Sequence, residues 1–175
     1  MNALLEALVF QPETSEQFER FMAAIATLMG FKGQQPEKEV GIGPDVLWRL
    51  GGLSFLVIEC KNGATSERVN KHDCNQLAGS MNWFHSQYDA SCAAVPVMIH
   101  PRNVFERAGT PHPDTRVMTA QKLPLLVEAL REFTIGAAAD GRYGLPQDIA
   151  DLLGSLSLTA ERLVPHFTVA CRLGR

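Results

Sequence analysis

Apolar residues recur at helical spacing between Thr14 and Met29. Phe18, Met22, Ile25 and Met29 step along one face, with Phe21 and Leu28 beside them, which predicts the first substantial helix. Thr14 and Gln17 stand at capping-box spacing before it, and Gly30 supplies a stop after it. The pattern then changes. DVLWRL, a Gly51-Gly52 pair and LSFLVIECK predict a β-hairpin across residues 41–62, with the glycines permitting the positive φ angles of a tight turn. Its second strand is almost continuously apolar from Leu53 to Ile58, as suits a buried strand, and ends in charge. Leu77, Met81, Phe84 and Tyr88 predict a long helix that starts at Ser66 or Asn70 and runs to Tyr88.

AAVPVMI (93–99) is a further strand in which Pro96 points to an edge or a bulge. A proline-rich stretch from His100 to Asp114 reads as a surface loop with a helical turn at 103–107. RVMTA (116–120) is a short strand, LPLLVEALREF a helix, and Gly136 to Gly144 a polar break. Two short helices, 147–153 and 160–164, close the pattern. The order predicts an α/β fold: a mixed central β-sheet flanked by helices on both faces, with a short helical C-terminal tail. One domain is expected, its core about 14–135 and its tail about 145–175; no internal repeat interrupts it.

Composition narrows the class. The chain has 175 residues, 46% hydrophobic and 20% charged, as a packed single domain requires. A net charge of −3 excludes a polybasic coat as the main source of affinity for nucleic acid or an acidic membrane, while leaving room for a local basic groove. No apolar run is long enough to span a bilayer, and MNALLEALVF, with Glu6 and no basic leader, does not read as a signal peptide. Cys60, Cys74, Cys92 and Cys171 are scattered, without a CxxC pair or a histidine cluster. They read as reduced thiols rather than a zinc site, and the expected location is cytoplasmic.

Candidate chemistry gathers at the hairpin. Pro44-Asp45 opens its first strand and Glu59-Cys60-Lys61 closes the second. Strand alternation puts Glu59 and Lys61 on one face, Ile58 and Cys60 on the other, and the hairpin folds Asp45 back beside them. Two carboxylates and an amine then converge where the sheet emerges. Carboxylate oxygens are the hard ligands Mg²⁺ prefers. A metal there stabilises charge on a phosphoryl oxygen and acidifies bound water, and an adjacent lysine orients that water or neutralises the phosphorane.

GPD, thirteen residues, then ECK resembles the active-site signature of the PD-(D/E)XK, or restriction-endonuclease-like, nuclease superfamily. QPEKEVGIGPDVLW, LVIECKNG, NKHDCNQLAGSMNWF, VMIHP and the RVMT strand resemble the nuclease-like domain found beside DEAD/DEAH-box helicases in bacterial proteins, from about Phe18 to Phe133. The resemblance implies a Mg²⁺- or Mn²⁺-dependent endonuclease acting on DNA in restriction, repair or defence, with a helicase or other DNA-processing protein as partner. It implies Asp45 as central metal ligand, Glu59 as second, the backbone carbonyl of Cys60 completing the set, and Lys61 as the water-activating or charge-stabilising lysine. It further implies Glu19 of the first helix as an additional acid, with Glu16 in reserve, and Gln76 of the second helix at the site. Ser80 stands where some relatives carry a tyrosine, which separates this chain from the recombination-exonuclease branch.

Blander readings hold elsewhere. Arg68, Lys71 and His72 can touch phosphates, yet an ordinary polar helix end is the simpler reading. His100 has no spaced partner and reads as structural or exposed rather than as a ligand; Trp48, Trp83 and Phe84 read as core. A double-strand cut requires two sites, hence a homodimer or repeated nicking. The competing expectation is a non-catalytic nucleic-acid-docking or helicase-associated module on a nuclease fold, motivated by the acidic net charge.

Overall fold

In the computed structural model, which describes residues 2–12, 14–139 and 145–174, a short helix, α1 (Asn2–Glu6), precedes the first predicted one. Leu5 and Leu8 bury into the core and hold this segment down. The Phe18–Met22–Ile25 stripe forms the buried face of α2 (Ser15–Leu28), and Gly30 follows it at φ +80°. The expected capping box does not form. Thr14 sits at φ −123°, ψ 18°, not the extended backbone a capping hydroxyl needs, and its Oγ1 donates to the Gln11 carbonyl at 3.4 Å.

Next come β1 (Lys32–Gln34) and α3 (Pro36–Val40). The predicted hairpin forms as β2 (Val46–Gly51) and β3 (Ser54–Cys60), turning through Gly51 and Gly52 at φ +125° and +52°. Of the two starts left open for the following helix, Asn70 is the cap: α4 (Lys71–Gln87) begins after it, and the Asn70 Oδ1 accepts the Asp73 N–H at 2.8 Å.

Then follow β4 (Ala93–Ile99), β5 (Val104–Phe105), β6 (Arg116–Met118) and α5 (Leu123–Ala138). The last elements are α6 (Pro146–Ser155), α7 (Ala160–Phe167), β7 (Val169–Ala170) and β8 (Arg172–Leu173).

The main sheet is mixed, with six strands in the order β1-β2-β3-β4-β6-β7. β3, β4 and β6 run parallel, while β1 and β7 add antiparallel edges. α4 covers one face, packing Leu77, Met81 and Phe84 on Leu47, Val57 and Met98. α2, α5 and α7 cover the other, against Trp48, Ile58, Val97 and Ile99. The fold is therefore α/β, a mixed sheet flanked by helices.

Several expectations are corrected. Pro96 lies in an interior strand, not an edge. It is tolerated because β6 pairs with β4 only from Val97 onward, so at the proline the strand has a neighbour on the β3 side alone. The helical turn expected at 103–107 is instead β5, which pairs in parallel with β8 in a second, two-stranded sheet. The break expected from Gly136 starts later, since α5 continues to Ala138. Gly136 lies within that helix, and its missing side chain lets Leu152 of α6 pack onto it, 3.0 Å from where a Cβ would stand. Residues 140–144 of that expected break lie outside the described residues. The C-terminal tail is not purely helical: β7 completes the main sheet, and β8 builds the second one.

α2 lies on β1 with no clearance. A Cβ at Gly33 would stand 1.9 Å from the Ala23 carbonyl oxygen. Gly33→Ala is expected to destabilise the protein by about 1–3 kcal/mol, as overpacking against a rigid backbone does. Thermal unfolding checks it, and an unchanged Tm would mean that α2 lifts from β1 freely.

Candidate active site

The hairpin register sets Val46 against Ile58, which carries Asp45 to the level of Glu59 and Cys60. The Cys60 N–H donates to Asp45 Oδ2 at 2.7 Å, fixing that carboxylate across the strand pair. Alternation sends Ile58 and Cys60 into the α2–α5 layer, and Glu59 towards α4, where Ser80 Oγ donates to its Oε1 at 2.6 Å. Lys61 Nζ reaches Glu59 Oε2 at 3.3 Å and Asp45 Oδ2 at 3.8 Å. Both carboxylates are buried, Asp45 at 8% exposure and Glu59 at 3%. Asp45, Glu59 and Lys61, separate in sequence, thus meet at one point.

The first helix brings another acid. Glu19 is paired with Lys38 of α3 at 3.6 Å and lies close enough to feel the charge of Asp45. Glu16 also meets Lys38, at 3.8 Å, but its side chain is 89% exposed and stands outside the cluster. Gln76 lines a cavity of about 160 Å³ together with Glu37, Gly43, Glu59, Gly79 and Ser80. Of the two α4 side chains, Ser80 rather than Gln76 hydrogen-bonds Glu59.

Glu37 is the residue the sequence reading missed. It lies on α3, its N–H bonded to the Pro44 carbonyl at 3.4 Å, and Asp45 is the main influence on its carboxyl. α3 is only five residues long, too short for a periodic signal; the clue within PEKEVGIGPD is two glutamates preceding a glycine-rich return to the aspartate.

Electrostatics follow from this crowding. Burial and the neighbouring Asp45 push Glu59 up to about 7, against the pull of Ser80 and Lys61. Burial, then Asp45, also raises Glu19. The neighbouring Asp45 carboxyl, then burial, raises Glu37. Burial would lower the Lys61 ammonium, but Asp45 and Glu59, with Asp73 beyond, outweigh it and hold Lys61 above its ordinary value. Lys61 is therefore a cation at neutral pH. The cluster holds more negative charge than Lys61 and Lys38 neutralise.

That surplus, with an all-oxygen donor set, fits a hard divalent cation. Asp45, Glu59 and the Cys60 carbonyl are the groups that could hold one, with Glu19 and Glu37 flanking. Among the described residues, no three acidic, histidine or cysteine side chains are already drawn round a common point. The Lys61 ammonium, not a third carboxylate, bridges Asp45 and Glu59.

The remaining candidates are placed by packing. His100 is 0% exposed, its Nδ1 taking the Arg102 N–H at 3.0 Å, while Ser66 lies 3.4 Å from its Nε2. Trp48 and Phe84 are core, and Trp83 covers Gly43, whose φ of +109° and contact with the indole leave no room for a Cβ. All four cysteines are unpaired, and burial pushes the Cys60 thiol well up, which keeps it inert. Among the described residues no helix is long and apolar enough to cross a membrane. No protein-family model, curated protein or solved structure matches this chain.

Proposed function

We infer that the protein is a Mg²⁺- or Mn²⁺-dependent nuclease that hydrolyses phosphodiester bonds in DNA, built on a restriction-endonuclease-like fold. One observation carries the reading: Asp45, Glu59 and Lys61 meet at the mouth of a hairpin with negative charge in excess. Asp45, Glu59 and the Cys60 carbonyl would hold the cation. When bound, it supplies Lewis acidity to a phosphoryl oxygen and lowers the pKa of its water.

The chain's own groups divide the rest. The Cys60 N–H keeps Asp45 in one orientation, and Ser80 does the same for Glu59. Lys61, held as a cation, places positive charge where the attacked phosphate gains negative charge, so its role is charge stabilisation rather than proton abstraction. Glu59, raised to about 7 in the metal-free protein, would give up that proton as the cation binds, so metal affinity should rise with pH. Water adds to phosphorus, the bond to the 3′ oxygen breaks, and that oxygen takes up a proton, leaving 5′-phosphate and 3′-hydroxyl ends. A cytoplasmic setting beside a helicase, or a homodimer for double-strand cuts, belongs to the same reading.

A supercoiled-plasmid assay tests it. Wild type should nick or linearise with Mg²⁺ or Mn²⁺ and not with EDTA. Lys61→Ala should lose about 10²–10³-fold in rate, the scale for removing one preorganised charge-stabilising donor, and Asp45→Ala should fall to background. A second reading, a docking module without chemistry, is favoured by the absence, among the described residues, of a preformed metal-binding trio. Under it the wild type neither cleaves nor gains thermal stability from either metal.

A further inference from the structure

Three stretches distant in the chain meet at the small β5–β8 sheet. The Val69 N–H donates to the Val104 carbonyl at 2.8 Å, and the Val69 carbonyl accepts the Glu106 N–H at 2.9 Å. From the C-terminal side, the Arg172 N–H bonds the Asn103 carbonyl at 2.9 Å and the Gly174 N–H bonds the Phe105 carbonyl at 2.8 Å. Val69 and Phe105, both fully buried, fasten this unit to the α4 layer of the core.

What the unit leaves outside is cationic. Arg68, Lys71, Arg102, Arg107 and Arg172 are all exposed. Arg102 is paired with Glu67 at 3.0 Å, and Arg172 leans on Asn103 Oδ1 at 3.2 Å. The Glu106 carboxylate is engaged by the Lys71 backbone N–H at 3.0 Å. Among the described residues, Arg68, Lys71 and Arg107 have no ion-pair partner. Residues 66–73, 100–109 and 170–174 carry five cationic and three acidic side chains, and one of the acids, Asp73, is buried; the whole chain is net −3. Positive charge is thus concentrated on one unit of an otherwise acidic molecule.

One helix links the patch to the candidate site. Lys71 opens α4, and nine residues further along the same helix Ser80 holds Glu59. That run is about 14 Å, roughly the length of four base pairs of duplex. Asp73, between the two, lies near enough to Lys61 to affect its charge.

We propose, resting on the nuclease reading of that site, that the β5–β8 unit is the surface on which the phosphate backbone of DNA docks, its cations steering a strand into the Asp45–Glu59–Lys61 cluster. The chemistry is counterion release from the polyanion, with arginine forks set against phosphate oxygens.

The test is fluorescence anisotropy on a 20-base-pair random duplex in EDTA, which needs no cleavage. It compares wild type with Arg68→Ala/Lys71→Ala/Arg107→Ala and with the control Lys32→Ala/Arg131→Ala/Arg162→Ala, which removes equal charge elsewhere. Thermal unfolding of each variant shows that it is folded. The patch variant should bind at least tenfold more weakly at 50 mM salt, with the slope of log K against log salt flattened by about 2–3, while the control stays within twofold to threefold. Equal losses in both variants, no loss in the patch variant, or no binding by wild type would overturn the docking surface. The nuclease reading fails separately, on absence of metal-dependent cleavage and metal stabilisation, whichever surface DNA binds.

Discussion

Asp45→Asn should erase the stabilisation that a divalent cation gives the wild type, and cleavage with it. An ion that binds only the folded state at a hundred times its Kd adds about 2.7 kcal/mol, a rise of about 5–10 °C in Tm for a chain of this length. In the metal-free protein the same change should alter stability little. The asparagine carbonyl can still accept the Cys60 N–H, and one negative charge leaves a cluster that also contains Glu19, Glu37 and Glu59. Differential scanning with EDTA, Mg²⁺ and Mn²⁺ measures both quantities. A variant that keeps the wild-type metal shift removes Asp45 from the centre of the proposed site.

The second large effect is a pH dependence of the wrong sign for an ordinary salt-bridged carboxylate. Glu59 rises from its ordinary 4.5 to about 7 in the folded protein, mainly through burial and then Asp45. Between those values the folded chain holds a proton that the unfolded chain has released. Its contribution is complete below pH 4.5 and disappears as pH climbs through 7. The metal-free wild type should lose roughly 2–3 kcal/mol of stability from this group between pH 4.5 and 8, and the raised Glu19 and Glu37 act in the same direction. Urea unfolding in EDTA reads it directly. Glu59→Gln should flatten most of that fall, and Mg²⁺ should oppose it in wild type at pH 8, because an ion binds where the proton has left. Identical pH profiles for variant and wild type would show that Glu59 is not the titrating group.

What could be read from the sequence depended on length of pattern. α2, α4 and α5 announce themselves because three or more turns of apolar residues repeat, and β3 because residues 55–58 run apolar without a break. β1, β5, β7 and β8 have two or three residues each, too few for any period, and they form because neighbouring backbone offers them partners. Strand alternation and a two-glycine turn are local rules, and they suffice to draw Asp45, Glu59 and Lys61 to one end of a hairpin. Glu37 and Ser80 obey no such rule. Each arrives on a separate helix whose position is set by tertiary packing, so neither contact has a signature within its own segment.

The indole of Trp48, buried in the α2–α5 layer, donates from Nε1 to the Met22 carbonyl at 2.9 Å. Trp48 lies three residues beyond Asp45 on β2, and Met22 one helical turn beyond Glu19 on α2. That bond, with the packing of Phe18, Met22 and Ile25 round it, works as a gauge block: it sets how far the turn bearing one acid stands from the strand bearing the other. The separation of the Glu19 and Asp45 carboxylates is thus dimensioned from inside the hydrophobic layer, and a core substitution at residue 48 retunes the cluster without touching a charged group.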